Sequence, residues 1–150
     1  MMADGGWRMS DGGWVMADGG WRIKNTSGQR FAIVMKDFEE MEVWRDAQML
    51  AEDVYRDFFK VNDYSFSDQI KRAVVSISNN VAEGAERTTS LEFARFLDIA
   101  KGSAGEVRSM YRLAQRLGLI ADEIAIERCS KCVSISKQLG GFAKYLRSKV

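Results

Sequence analysis

Cys129 and Cys132 form a Cys-x-x-Cys, the spacing that could hold part of a metal site or act as a redox dithiol. Zinc takes four ligands, and with two cysteines and no histidine in the chain no second pair completes such a site. A reactive dithiol needs a helix N-terminus beside a strand-rich core, which this chain lacks, so two ordinary, partly buried, reduced thiols are expected. Without histidine there is no His-based triad and no imidazole acid–base pair. Gly102-Ser-Ala-Gly105 lacks the strand-to-helix turn of a nucleophile elbow, and Ser134-x-x-Lys137 lacks the companion motifs that give that spacing meaning. The carboxylates of Glu83 and Glu86 read as ion-pair partners of Arg87 or Arg72. No nucleophile, base and orienting group come together, so the expectation is no enzyme, no cofactor and no metal.

The more informative pattern is polar and helical. Between Ser67 and Glu106, Ile70, Val74, Ile77 and Val81 make a core-facing stripe at i, i+4, i+7 and i+11. A second stripe, Gln69, Arg72, Ser76, Asn80, Glu83 and Arg87, falls within about 80° of arc on the adjoining face. Water does not require serine and asparagine there, because both compete for backbone hydrogen bonds and are poor helix formers. Their alignment points to hydrogen bonding across helices. The following helix carries a comparable ridge, Arg95, Asp98, Gly102, Gly105, Ser109, Arg112 and Arg116. Each mid-helix glycine costs about 1 kcal/mol relative to alanine, which a closely approaching helix would explain. The two ridges are therefore read as an inter-helix or oligomer seam, within or between subunits.

Four helices position these ridges. The first spans about Phe38 to Lys60, with Trp44, Ala47, Ala51, Val54, Tyr55 and Phe58 as its apolar face. The second is capped by Ser65 or Ser67 and ends near Gly84 to Arg87. Thr89-Ser-Leu-Glu92 is a capping box that starts the third, whose apolar face is Phe93, Phe96, Leu97, Ala100, Ala104, Val107 and Tyr111 and which stops at Gly118 in a left-handed cap. The fourth covers about Asp122 to Lys149 on a Cys132, Ile135, Leu139, Phe142, Ala143 and Leu146 stripe, with a bend or fraying at Gly140-Gly141. Short turns between such helices give an all-α, antiparallel up-down-up-down four-helix bundle over residues 35–150. Residues 1–34 hold a tandem heptapeptide (MADGGWR, MSDGGWV, MADGGWR) too glycine-rich for a coiled coil. A flexible, poorly ordered extension is expected there, with Met35 an alternative first residue.

At 150 residues, 46% hydrophobic and 29% charged, the chain has the composition of one globular domain. No signal peptide and no run near the ~18 apolar residues of a membrane span is present, so a cytoplasmic location without membrane contact is expected. Net charge is +1 overall, and from residue 35 onward 18 basic residues balance 18 acidic ones, which disfavours tight phosphate-driven binding. Residues 37–63 carry nine acidic and three basic residues, residues 128–149 six basic and none acidic, so the first and last helices should attract. Lys137, Lys144 and Arg147 are candidates for nucleic-acid contact, with Lys131 and Lys149 on the same helix and Arg108, Arg112 and Arg116 on the third, although their spread around the helix better fits a solvated charged face.

Gln69-Ile-Lys-Arg-Ala73, Ser76-Ile77, Asn80-Val-Ala-Glu-Gly84, Arg87, Glu92-Phe93, Phe96-Leu97, Ile99-Ala-x-Gly-Ser103 and Glu106 together resemble the four-helix-bundle family encoded in intervening sequences of bacterial 23S rRNA genes, which is related to the accessory protein of diversity-generating retroelements. The likeness covers about Met35 to Leu146. The tryptophan repeats, and the lack of prolines common in the family's first inter-helix turn and at the position of Ser78, are departures. The resemblance implies a ring-like homopentamer without catalytic activity, associated weakly with structured RNA or a nucleic-acid enzyme. The alternative it leaves is a nucleic-acid-binding accessory subunit of a retroelement reverse transcriptase, which the balanced charge disfavours.

Overall fold

In the computed structural model residues 37–149 are described with their side chains. Ahead of them only the backbone of five short strands is described: β1 (Met2–Ala3), β2 (Trp7–Ser10), β3 (Gly13–Met16), β4 (Trp21–Lys24) and β5 (Ala32–Met35), paired antiparallel in that order with Arg8 opposite Val15 and Ile23 opposite Ile33. The expectation for the extension over 1–34 lies largely outside the described residues. From residue 37 onward the chain is helical: a 3-10 turn (Phe38–Glu40), then α1 (Glu42–Asp57), α2 (Tyr64–Ala85), α3 (Ser90–Arg116) and α4 (Asp122–Ser148).

Local chemistry sets these bounds. Asp37 caps the 3-10 turn by accepting from the Glu39 amide, and Met41 is extended at φ −76°, ψ 127°, so α1 begins four residues later than its periodicity predicts. Asp63, rather than Ser65 or Ser67, caps α2, its carboxylate accepting from the Phe66 amide at 3.0 Å. Thr89 caps α3 as expected, its Oγ1 accepting from the Glu92 amide at 3.2 Å, but the Glu92 carboxylate accepts from the Thr89 hydroxyl at 3.3 Å instead of from a backbone N–H. At the far end of α3, Gly118 sits at φ 70°, and its amide and that of Leu119 bond back to Gln115 O and Ala114 O at 3.1 and 2.9 Å. That pair of bonds is a Schellman motif, and the left-handed residue it needs is the glycine the sequence supplies. The fourth helix runs unbroken through Gly140 and Gly141.

Side-chain pairings fix the topology. Going up α1, Gln48, Tyr55 and Phe58 meet Ser78, Lys71 and Phe66 going down α2. Gln69, Ser76 and Gly84 of α2 meet Glu106, Ser103 and Phe96 of α3, and Asp98 and Arg108 of α3 meet Arg147 and Cys129 of α4. Asp46 and Asp57 meet Gln138 and Arg128, closing α1 against α4. Every adjacent pair is antiparallel, so the chain forms an up-down-up-down bundle.

The core is one cluster. Ile70, Val74, Ile77 and Val81 of α2, and Cys132, Ile135, Leu139, Phe142, Ala143 and Leu146 of α4, are all buried in it. The α3 face is buried as its spacing predicts except for Phe96, which is half-buried. On α1 the buried stripe is Val43, Ala47, Leu50, Val54 and Phe58, while Trp44 is half-buried and Tyr55 is exposed, a rotation of the expected face. Phe58 joins α1 to its neighbours, 5.6 Å from both the Phe66 and Tyr111 rings. At Gly84 α2 and α3 lie in close contact: a Cβ there would lie 2.7 Å from Phe96 Cβ and 3.0 Å from Phe93 Cδ1.

Candidate functional site

The α2 ridge is partly spent inside the bundle. Ser76 Oγ lies 2.9 Å from Ser103 Oγ, and Asn80 Nδ2 donates to Ser76 O at 2.7 Å and to Ser76 Oγ at 2.9 Å. Both residues are half-buried, and the ladder ties α2 to α3. Gln69 reaches Glu106 at 3.5 Å. Glu83 and Arg87 pair with each other at 3.0 Å on the exposed surface, with the Arg87 guanidinium 4.7 Å from the Phe96 ring centroid. Arg72 is exposed and makes no ion pair among the described residues.

The α3 ridge is spent only at Asp98, which pairs with Arg147, and at Arg112, which donates to Gln115 at 3.1 Å. Arg95, Gly102, Gly105 and Ser109 are all exposed, and a Cβ at either glycine would meet nothing within 4 Å. Among the described residues, therefore, no helix approaches these glycines. The same outward face exposes Leu91, Ile99, Leu113 and Leu117 at 50, 45, 47 and 58%. By helical spacing Leu91, Arg95, Ile99, Gly102, Ser109 and Leu113 share about 80° of arc. One face of a 27-residue helix is thus left mixed apolar and small.

The cations of α4 divide. Arg147 pairs with Asp98, and Lys149 stands 5.2 Å from the Tyr145 ring centroid. Lys131 bonds Asp53 at 2.8 Å and Glu127 at 3.0 Å, so it belongs to the bundle's own electrostatics. Lys137 and Lys144 are exposed. The expected attraction of first and last helices takes the form of a largely buried cluster. Asp57 accepts from Arg128 Nε at 2.8 Å, from Arg128 Nη2 at 3.1 Å and from the Tyr111 hydroxyl at 2.7 Å. The side chains of Asp57 and Arg128 are 6 and 13% exposed. The Asp57 hydrogen bond and its charge hold the Arg128 guanidinium more firmly protonated than usual, and burial followed by the same carboxylate pushes the Tyr111 phenol up.

Neither cysteine is oxidised, and both are buried. Burial pushes the Cys132 thiol up to about 12 and raises Cys129, the reverse of what a nucleophilic thiol needs. Cys132 and Tyr111 both keep their protons in the fold at pH values where the unfolded chain, at 9.0 and 10.0, loses them. The stability they add is complete below pH 9.0 and is lost as pH rises towards 12. The unfolding free energy from urea titrations is expected to fall between pH 9 and 11, by up to about 1.4 kcal/mol per pH unit for each group once its unfolded value of 9.0 or 10.0 is passed, and a flat profile would contradict the burial of both. No group of histidine, cysteine, aspartate and glutamate among the described residues is placed to hold a metal. No helix among them is long and apolar enough to cross a membrane.

An open groove of about 540 Å³ lies along the outer face of α2. Tyr55 of α1 forms one wall, Asp68, Lys71, Arg72, Val75 and Asn79 line it, and Ser76 and Asn80 border it. Nothing in the one-dimensional pattern marks it, because Tyr55 there reads as a core residue and Lys71 and Asn79 as solvated positions.

No match emerges among curated proteins. Among solved structures the bundle is similar to a protein of unknown function from the S23 ribosomal protein family of Bacteroides thetaiotaomicron, at TM-score 0.62 and 26% sequence identity, over 68% of this chain and 98% of the other. A sequence profile of the family described as 23S rRNA-intervening sequence protein matches residues 39–141, more than half of the chain and nearly the whole of the helical region. The chain belongs to the 23S rRNA-intervening sequence protein family.

Proposed function

We propose that this protein is a non-catalytic assembly protein: its bundle associates with further copies of itself, as a ring of five on the family resemblance, and binds RNA weakly. The observation that carries the reading is the open space at Gly102 and Gly105. Two glycines weaken α3 by about 1 kcal/mol each, and nothing among the described residues makes use of the missing side chains. Flanked by exposed Ile99 and Leu113, they form a flat strip against which a helix of a second copy packs closely. Arg95 and Ser109 on the same strip, and Gln69, Glu83 and Arg87 beside it, supply the polar rim. The balanced charge keeps the RNA binding weak.

The test is a Gly102→Leu/Gly105→Leu double variant. Leucine suits the helix, so far-ultraviolet circular dichroism is expected to stay unchanged, while light scattering drops from the assembly to a single chain. A variant that keeps the wild-type mass would remove this face from the interface. For the RNA half, retention at two salt concentrations is expected to fall as salt rises, and no retention at low salt would remove it.

A further inference from the structure

We infer that the open groove between Tyr55 and the outer face of α2 is a binding site for a short stretch of single-stranded nucleic acid, and that it, rather than the α4 lysines, carries the RNA association proposed above. The inference rests on the nucleic-acid half of that reading and gives it a place.

Three features of the groove converge on this ligand. The first is an aromatic platform: Tyr55 is 48% exposed, and Tyr64, 75% exposed, begins the helical face that Asp68, Lys71, Val75 and Asn79 continue. Sequence-tolerant binding of single strands uses exposed rings on which successive bases stack. The second is unneutralised charge. Lys71 and Arg72, like most cations of the bundle, make no ion pair among the described residues, and here two of them stand together beside an exposed ring. Lys71 stands 5.2 Å from the Tyr55 ring centroid on a flexible stem that reaches a phosphate beside a stacked base. The third is a set of edge-reading groups among the lining residues, the Asn79 amide and the Asp68 carboxylate, of the kind that accept from base amino groups. Asp68 also opposes phosphate at its end of the groove, so the strand's phosphates lie towards Arg72. An open trough of this size leaves a lone nucleotide mostly in water, while a strand that continues past Tyr64 stacks again, which favours a strand as the occupant.

Fluorescence anisotropy of labelled ten-nucleotide single-stranded RNA and DNA, with the full chain at low salt, tests the site. Tyr55→Ala and the pair Lys71→Gln/Arg72→Gln are each expected to weaken binding about tenfold or more. The pair should also flatten the salt dependence, whose slope with two phosphate contacts is about −1.4. Lys137→Gln/Lys144→Gln should leave affinity within about twofold of wild type. If the α4 pair abolishes binding and the groove variants do not, RNA association stands and this site is wrong. If the wild type binds no strand at low salt, both fail. If adenosine monophosphate alone displaces the strand at comparable concentration, the site takes free nucleotides and the strand assignment falls. If the groove variants change the mass measured by light scattering but not RNA affinity, the groove is covered by a second copy and the inference is overturned. Circular dichroism of every variant checks that the bundle persists.

Discussion

Replacing Asp57 by alanine is expected to destabilise the bundle by about 3–5 kcal/mol, the cost of leaving one member of a buried ion pair without its partner. Asp57 is the only acceptor shown for the Tyr111 hydroxyl and takes two hydrogen bonds from Arg128. Its loss strands a buried phenol and leaves the Nε and Nη2 side of a largely buried guanidinium without an acceptor, since the remaining carboxylates, Glu127 at 2.5 Å and Asp53 at 3.8 Å, both sit on Arg128 Nη1 and are shared with Lys131. Tyr111→Phe, which removes a donor and leaves the ion pair intact, is expected to cost only about 1 kcal/mol. Urea unfolding of the three proteins measures both values. Replacing Asp57 and Arg128 together with apolar residues should recover much of the loss, because a buried pair adds little beyond the penalty for breaking it. An Asp57→Ala variant within about 1 kcal/mol of wild type would show that the cluster does not hold α1 to α3 and α4.

Gly84→Val is the second large effect. Its first side-chain atom would fall 2.7 Å from Phe96 Cβ and 3.0 Å from the Phe93 ring, and Phe96 Cβ is attached to the α3 backbone and cannot swing away. Overpacking of this kind costs about 1–3 kcal/mol, and leaving glycine returns only a few tenths of a kcal/mol in helix propensity because valine is branched, so a loss of about 2 kcal/mol and a fall of about 6 °C in Tm are expected. Gly102→Ala makes the contrast. With open space around it, its effect on an isolated bundle is a gain of about 1 kcal/mol from helix propensity alone. If Gly84→Val melted at or above the wild-type temperature, the close approach of α2 and α3 would be refuted.

What the sequence made legible were features written within one or two turns of helix. Thr89 with Glu92, Gly118 between two leucines and the Ile70 to Val81 stripe each carry their own local cause, and each stands where its spacing puts it. The face of α1 was misread because Trp44 and Tyr55 look like core by bulk. Which side of that helix is covered depends on where α2 and α4 lie, and Val43 and Leu50 are the residues those neighbours bury. Asp63 was passed over as a cap because two serines just beyond it offer the same chemistry. Opposite charge on the first and last helices was visible as composition. The convergence of Tyr111 and Arg128 on Asp57, from 54 and 71 residues away, was not, because no periodicity links residues so far apart. Gly84 and Gly102 look alike in sequence, and only packing separates a glycine that admits a phenylalanine from one that faces open space.

The central claim is that the outward face of α3 meets another copy of this chain. Light scattering of the purified full chain across a hundredfold range of concentration tests it most directly: the expected mass is a fixed multiple of 16.9 kDa, five for the proposed ring. A mass of 16.9 kDa at every concentration would contradict it.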